Sequence, residues 1–251
     1  MNHAAKTVFV QGASRGIGLE FARQLAGRDD LAQVLASCRD PDNASDLQDL
    51  AAKAGVRIIA MDIEDENSVR SAAELAAAQA PRLDLLINCA GLLHDASGIS
   101  PERRLDQLDP AALLRSFAIN AIGPALVVKH FRHLLQRSDH AVVANLSARV
   151  GSITDNRLGG WYAYRSAKAA QNMLTRCMAI ELGRGGHPVT LVSLHPGTVD
   201  TDLSRPFQRN VPEGKLFSSE RAVSQLLTII DGLGPQDSGR FFAWDGSEIP
   251  W

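Results

Sequence analysis

Seven short apolar runs, separated from one another by Ala- and Leu-rich stretches of helical length, restrict what this chain can fold into. They are KTVFVQ (6–11), QVLASC (33–38), VRIIAM (56–61), LDLLIN (83–88), HAVVANLS (140–147), PVTLVSL (188–194) and GRFFAW (239–244). A strand that is apolar on both faces has to be covered on both, and in a chain that alternates strand with helix the crossover helices supply that cover. The pattern therefore predicts a doubly wound, mostly parallel α/β sheet of about seven strands with helices on both faces. After the first run, Ile17, Phe21, Ala22 and Leu25 fall on one face of a helix. No Pro/Gly/Ser-rich linker, repeat or compositional shift divides the 251 residues, so one domain, 1–251, is the economical reading.

Bulk properties exclude several partners. A formal net charge of −2 and a pI near 6.4 give no basic footprint for nucleic acid. The N-terminal MNHAAKTVFVQG is too short an apolar stretch for a signal-peptide core with a cleavage site, and no later window is expected to approach a membrane span. A soluble, cytoplasmic protein with no membrane or nucleic-acid partner is expected. Cys38, Cys89 and Cys177 are odd in number, far apart and outside any Cys-x-x-Cys pair, so reduced thiols and no metal site are expected.

Two segments carry chemistry. The first run ends in QGASRGIGLE, where Gly12, Gly16 and Gly18 can bring backbone amides close to a pyrophosphate at the N-terminus of the following helix. At the end of the second run an acid would grip the ribose hydroxyls of NAD, and a base would accommodate the extra phosphate of NADP. Here Arg39 follows the strand at once, with Arg15 available in the glycine turn, which favours NADP(H); Asp40, one residue later, keeps NAD(H) open. The other segment is WYAYRSAK (161–168). Residues four apart share a helix face, so Tyr164 and Lys168 are neighbours while Tyr162 points elsewhere. An ammonium beside a phenol favours the phenolate and lowers its pKa from about 10, which suits a group that exchanges a proton with a carbonyl or alcohol oxygen.

Two long connections, 89–106 and 195–217, follow the carboxyl ends of strands, where ligands bind in open α/β sheets. They are the candidate substrate rim and lid, the first alternatively a plain surface insertion. Arg205, Arg209 and Lys215, against Glu213, make the second locally positive; a solvated face is the default and attraction of an acidic substrate the sharper alternative. His195 reads as a hydrogen-bonded structural histidine rather than a catalytic one, and Cys89 as a small buried side chain. Trp161 and Tyr162 either line the substrate pocket or pack beneath the loop.

GASRGIG (12–18), MDI with Asp62, NCAG (88–91), Asn120 within INAIG, NLSARVG (145–151), Tyr164 with Lys168, and HPGTVDT (195–201) occur in order along the chain. Together they resemble the short-chain dehydrogenase/reductase family over essentially the whole length, with a Rossmann-type domain. The tail GRFFAWDGSEIPW and the SARVGSI stretch resemble the C-factor (C-signal) and sniffer-type carbonyl reductase subgroup.

The resemblance implies that Gly12, Ser14, Arg15, Gly16, Ile17 and Gly18 hold the pyrophosphate and ribose, with Asp62 and Ile63 flanking the adenine. It implies that Asn88, Ala90 and Gly91 brace the cofactor pocket, and that Pro196, Gly197, Val199 and Thr201 shape its nicotinamide end. Tyr164 would be the general acid/base. Lys168 would tune it and bind the nicotinamide ribose, and Asn120 would hold a water that links the lysine to solvent. The implied activity is hydride transfer between NADP(H) and a carbonyl or alcohol substrate. The helices around 110–135 and 161–183, with small residues at Ala163, Ala167 and Ala170, are surfaces on which relatives form homodimers and homotetramers.

One position departs from the family pattern. The family has a serine pair before the glycine of NLSARVG, the second serine donating to the substrate carbonyl; here the pair reads Ser147-Ala148. Ser147 turning into the site, Ser152 in the next loop, or a site working without that hydroxyl are the three readings. The last also fits a cofactor-binding signalling or regulatory protein with vestigial catalysis.

Overall fold

The computed structural model describes residues 5–251. Each of the seven apolar runs forms a strand of one sheet: β1 (Lys6–Gln11), β2 (Leu31–Cys38), β3 (Arg57–Ala60), β4 (Leu85–Asn88), β5 (Ala141–Leu146), β6 (Val189–His195) and, last in the chain, β9 (Arg240–Ala243). All neighbours pair in parallel, in the order β3-β2-β1-β4-β5-β6-β9. The order reverses between β1 and β4, and at such a switch point the flanking connections leave in opposite directions and open a crevice beyond the strand ends.

Alternation along the strands feeds two cores. Val8, Val10, Ala36, Ile87, Ala144 and Leu194 face α1 (Gly16–Ala26), α2 (Ser45–Ala54) and α7 (Ser219–Gly232), which contribute Phe21, Leu25, Leu47 and Leu226. Phe9, Leu35, Leu86, Val143 and Leu191 face α3 (Glu66–Gln79), α5 (Gly123–Leu135) and α6 (Tyr162–Arg184). Phe9 and Phe131 meet at 4.5 Å between ring centroids, fully buried, each such side chain contributing about 1.5–3 kcal/mol. On α1, Phe21, Ala22 and Leu25 are buried as the periodicity predicts, while Ile17 is only partly so because it borders a groove.

Two differences from the sequence reading have clear origins. The connection 195–217 is tied at its base by a two-stranded pair, β7 (Thr198–Val199) with β8 (Leu216–Phe217), which folds the intervening residues out as a flap. A run of membrane-spanning length also exists, contrary to expectation: Pro110–Leu135, with mean hydropathy 1.7. Its length arises because α4 (Pro110–Phe117) and α5 join without a break through a π-turn, Ala118–Ile122. Val127, Val128, Phe131 and Leu134 spend their apolarity on the sheet and not on lipid.

Candidate active site

The glycine turn fits a backbone that has to be approached closely. Gly12 has φ 80°, and a Cβ there would stand 2.7 Å from the Ala90 nitrogen; a Cβ on Gly18 would stand 2.2 Å from the Gly12 carbonyl oxygen. Only hydrogens fit at either place. Arg15 precedes α1 in an extended conformation with no side-chain cap and no acid in the first turn, so the first N–H groups of this 11-residue helix remain free for an anion.

From this turn a groove of about 770 Å³ runs along the switch point, lined by Gly12, Ser14, Arg15, Gly16, Ile17, Gly18, Arg39, Asp62, Ile63, Ala90, Gly91 and Thr201. The carboxylate of Asp40 turns away from it and accepts from the Asn43 side chain at 2.6 Å, whereas Arg39 and Arg15 both line it. The cradle and the open helix end fit the pyrophosphate of a dinucleotide, and Arg15 and Arg39 add two cations to the lining. Asn88 lies beneath the groove, donating to Asn145 Oδ1 at 2.7 Å, while Pro196, Gly197 and Val199 stand beyond its lining at the end of β6 and in β7.

At the inner end of the groove three elements meet around Gly91. A Cβ on Gly91 would lie 3.2 Å from Asn120 Oδ1 and 4.0 Å from Lys168 Nζ. Asn120 sits in the π-turn, a distortion often found at functional sites. Its amide is fully engaged, accepting from Leu92 N–H at 2.9 Å and donating to Leu92 O at 2.8 Å and Ser116 Oγ at 3.1 Å. Tyr164, Ala167, Lys168, Gln171, Asn172 and Thr175 form the buried face of α6. Lys168 Nζ lies 5.8 Å from the centre of the Tyr164 ring and donates to Leu146 O at 2.8 Å and Gln171 Oε1 at 3.0 Å.

Burial dominates the electrostatics here. It raises the Tyr164 phenol above its ordinary value and lowers Lys168 to about 7, with Cys89 acting weakly in the opposite sense on the lysine. The expected depression of Tyr164 by the ammonium is thus absent from the chain alone, because the same desolvation that opposes a phenolate also opposes its cation. Burial likewise raises the Cys89 thiol, but the residue is half-buried and lines the groove, whereas the sequence predicts a buried side chain. His195 departs from its expectation: its Nδ1 is buried without a hydrogen-bond partner, and burial lowers its pKa to about 4.

Neither candidate for the missing hydroxyl is free. Ser147 is held in regular pairing by its N–H to Leu194 O at 2.8 Å, and its hydroxyl donates to Asn172 Oδ1 at 2.7 Å. The Ser152 hydroxyl donates to Pro250 O at 2.5 Å and accepts from Asp155 N–H at 3.1 Å. The strand end carries no bulge that would turn Ser147 around, and the chain's C-terminal segment occupies Ser152.

The two long loops close over the tyrosine. Trp161, the one described non-glycine residue with positive φ (52°), lies edge-on to Tyr164 at 6.3 Å and to Phe207 at 5.0 Å, and Phe207 meets His94 at 5.8 Å. Trp161 therefore belongs to the wall beside Tyr164. The rim loop is docked rather than free: the buried Glu102 accepts the Ala163 N–H through Oε2 at 3.2 Å and the Trp161 N–H through its carbonyl. Asp202 of the flap pairs with Arg205 at 2.9 Å and reaches Arg15 of the glycine turn at 3.6 Å, so part of the flap's positive charge is already neutralised. Sequence reasoning missed Glu102, Gln171 and Phe207. Gln171 alone left a trace, standing three residues after Lys168 on the same helix face.

Comparison with known proteins agrees with this geometry. Residues 6–212 match the model of the short chain dehydrogenases. The 1-hydroxy-2-glutathionyl-2-methyl-3-butene dehydrogenase of Rhodococcus sp. (strain AD45) is 35% identical over 247 residues, 98% of this chain and 99% of the relative. The C-signal protein of Myxococcus xanthus is 40% identical over 169 residues, 67% of this chain and 93% of the relative. Among solved structures, NADPH-bound carbonyl reductase from chicken fatty liver superposes with a TM-score of 0.89 at 30% identity, covering 99% of this chain and 100% of that one. With strand order, glycine cradle and buried Tyr-Lys face all in agreement, this chain belongs to the short-chain dehydrogenase/reductase family, as an oxidoreductase of the C-factor and sniffer carbonyl reductase type.

Proposed function

We propose that this protein is an NADP(H)-dependent reductase of carbonyl compounds in which Tyr164 is the proton donor. The observation that carries the reading is the meeting of Lys168 and Asn120 at Gly91, with Tyr164 beside Lys168 on the same helix face, next to a groove that Gly91 lines together with Arg15 and Arg39. NADP(H) is preferred over NAD(H) because those cations line the groove while the Asp40 carboxylate is turned to Asn43. When bound, the reduced nicotinamide supplies the hydride that adds to the carbonyl carbon. Tyr164, kept protonated by burial, gives its proton to the carbonyl oxygen, so an alcohol forms and a phenolate is left. Lys168, beside the ring, returns a proton to that phenolate and is itself recharged from solvent.

The same reading has the protein work in the cytoplasm as a homodimer or homotetramer. Leu114 of α4, 74% exposed, and Met173 of α6, 64% exposed, support assembly through the outer faces of these helices. Ala148, with both neighbouring serine hydroxyls engaged elsewhere, favours a second reading, a cofactor-binding signalling protein with vestigial catalysis.

Consumption of NADPH, with NADH alongside, across aldehydes, ketones and diketones tests both, using wild type and Tyr164→Phe. NADPH-preferring turnover that collapses at least a hundredfold in the variant is expected. Binding of NADPH by both proteins without turnover of any carbonyl would put the signalling reading first.

A further inference from the structure

The Lys168 ammonium is set in a place without a counter-ion. The titratable groups that face it are Tyr164 from its own helix and Cys89 from the end of β4, and neither is an anion at neutral pH. The π-turn offers only the Asn120 amide, already engaged, and β5 offers the Leu146 carbonyl. Among the described residues, Gln171 supplies the one side-chain oxygen hydrogen-bonded to Nζ, at 3.0 Å. Gln171 is itself 1% exposed, and its other terminal atom, Nε2, is buried with no partner. The unpaired Nε2 carries a desolvation cost, and only the Oε1 half of the amide has a partner.

The helix backbone that carries the glutamine is also anchored. The Gln171 carbonyl accepts from Thr175 Oγ1 at 2.9 Å, Thr175 Oγ1 accepts from Asn145 Nδ2 at 2.8 Å, and Asn145 Oδ1 accepts from Asn88 Nδ2 at 2.7 Å. This chain of hydrogen bonds ties α6 to β5 and β4 directly beneath the groove.

We propose that Gln171 is a positioning residue for Lys168: its buried Oε1, carried on an anchored turn of α6, aims the ammonium beside Tyr164 and favours its charged form without the lock that a carboxylate would impose. The proposal rests on the reading of Tyr164 and Lys168 as the proton-transfer pair. A neutral acceptor stabilises the cation less than an anion does, so Lys168 can still lose and regain a proton near neutral pH, as proton return to Tyr164 requires. Glutamate at the same place would hold the proton more tightly and move that exchange to higher pH.

The test is a titration of Lys168 in the full-length protein, with and without NADPH, by NMR of ¹³Cε-labelled lysine, the signal being assigned by its loss in Lys168→Met. Gln171→Leu is expected to lower the Lys168 pKa by about one unit and Gln171→Glu to raise it by about as much, one unit being a tenfold change in proton affinity. The alkaline limb of kcat for carbonyl reduction should move in the same two directions with KM little changed. Lys168 titrating within 0.3 unit (~0.3) of wild type in both variants would overturn the proposal. Loss of the folded circular dichroism spectrum in both would make Gln171 a packing residue and equally overturn it, whereas a folded Gln171→Glu with a raised pKa supports it by itself. Failure of the underlying reading has a separate signature, turnover that survives Tyr164→Phe while Lys168 still responds to Gln171.

Discussion

Lys168 is 3% exposed, and in that setting its charge works against folding. The folded chain binds this proton more weakly, with a pKa of about 7 against 10.5 for the ordinary side chain. Between those values the unfolded state holds more protons, so the contribution of this group to stability rises with pH across the window and its penalty is complete below about pH 7. Lys168→Met should therefore abolish turnover yet raise Tm by roughly 5 °C at pH 6, the gain shrinking toward pH 9; a calorimetric scan at the two values checks both size and trend. Ala148 poses the converse question. With Ser147 tied to Asn172 and Ser152 to Pro250, the strand end offers no free serine hydroxyl, and one missing donor of this kind costs on the order of 10²–10³ in rate. Ala148→Ser should raise kcat for a carbonyl substrate by at least roughly tenfold with Tyr164→Phe still inactive, and an unchanged kcat would mean that another group already fills the place.

Among the elements, the β1–α1 turn tolerates least, because helix and loop touch through backbone. Gly18→Ala would set a methyl 2.2 Å from the Gly12 carbonyl oxygen, and that oxygen belongs to a backbone that cannot swing aside. We expect NADPH affinity to fall at least about a hundredfold, by fluorescence titration, and Tm to drop by several degrees; Gly55→Ala, where a Cβ meets open space, should cost only the ~1 kcal/mol of a left-handed alanine and leave binding intact. Such elements were legible in the sequence because their cause is local: a buried parallel strand must be a continuous apolar run, and a tight turn onto a helix must be glycine. What escaped notice depends on partners distant in the chain. Leu216–Phe217 becomes a strand only by meeting Thr198–Val199, Glu102 matters only because the start of α6 arrives beside it, and the orphaned His195 Nδ1 reflects what fails to arrive. The Tyr164–Lys168 adjacency could be read from helical spacing, but burial, which reverses the expected sign of the phenol's shift, is a tertiary property.

Across the whole molecule, the groove, the flap and the tyrosine cover meet at Asp202. Its carboxylate pairs with Arg205 on the flap and with Arg15 in the glycine turn, and its carbonyl oxygen lies 3.2 Å from His94 Nε2, which in turn touches Phe207 above Trp161. Any anion that takes Arg15 has to compete with Asp202, so occupancy of the groove is linked to the contact that holds the flap down. The pair itself is exposed, 78% and 53% at the two side chains, and contributes little to stability in water. Asp202→Ala should accordingly leave Tm nearly unchanged while tightening NADPH several-fold, since Arg15 is released to the phosphates at no energetic cost and a repelling carboxylate is removed. Raising the salt concentration should narrow the difference between variant and wild type, because the effect is screened Coulomb interaction between exposed groups. Fluorescence titrations of both proteins at low and high salt decide the matter. Equal affinities at low salt would show that Arg15 and Asp202 do not compete with the cofactor, and weaker binding by the variant would show that the flap contact assists it.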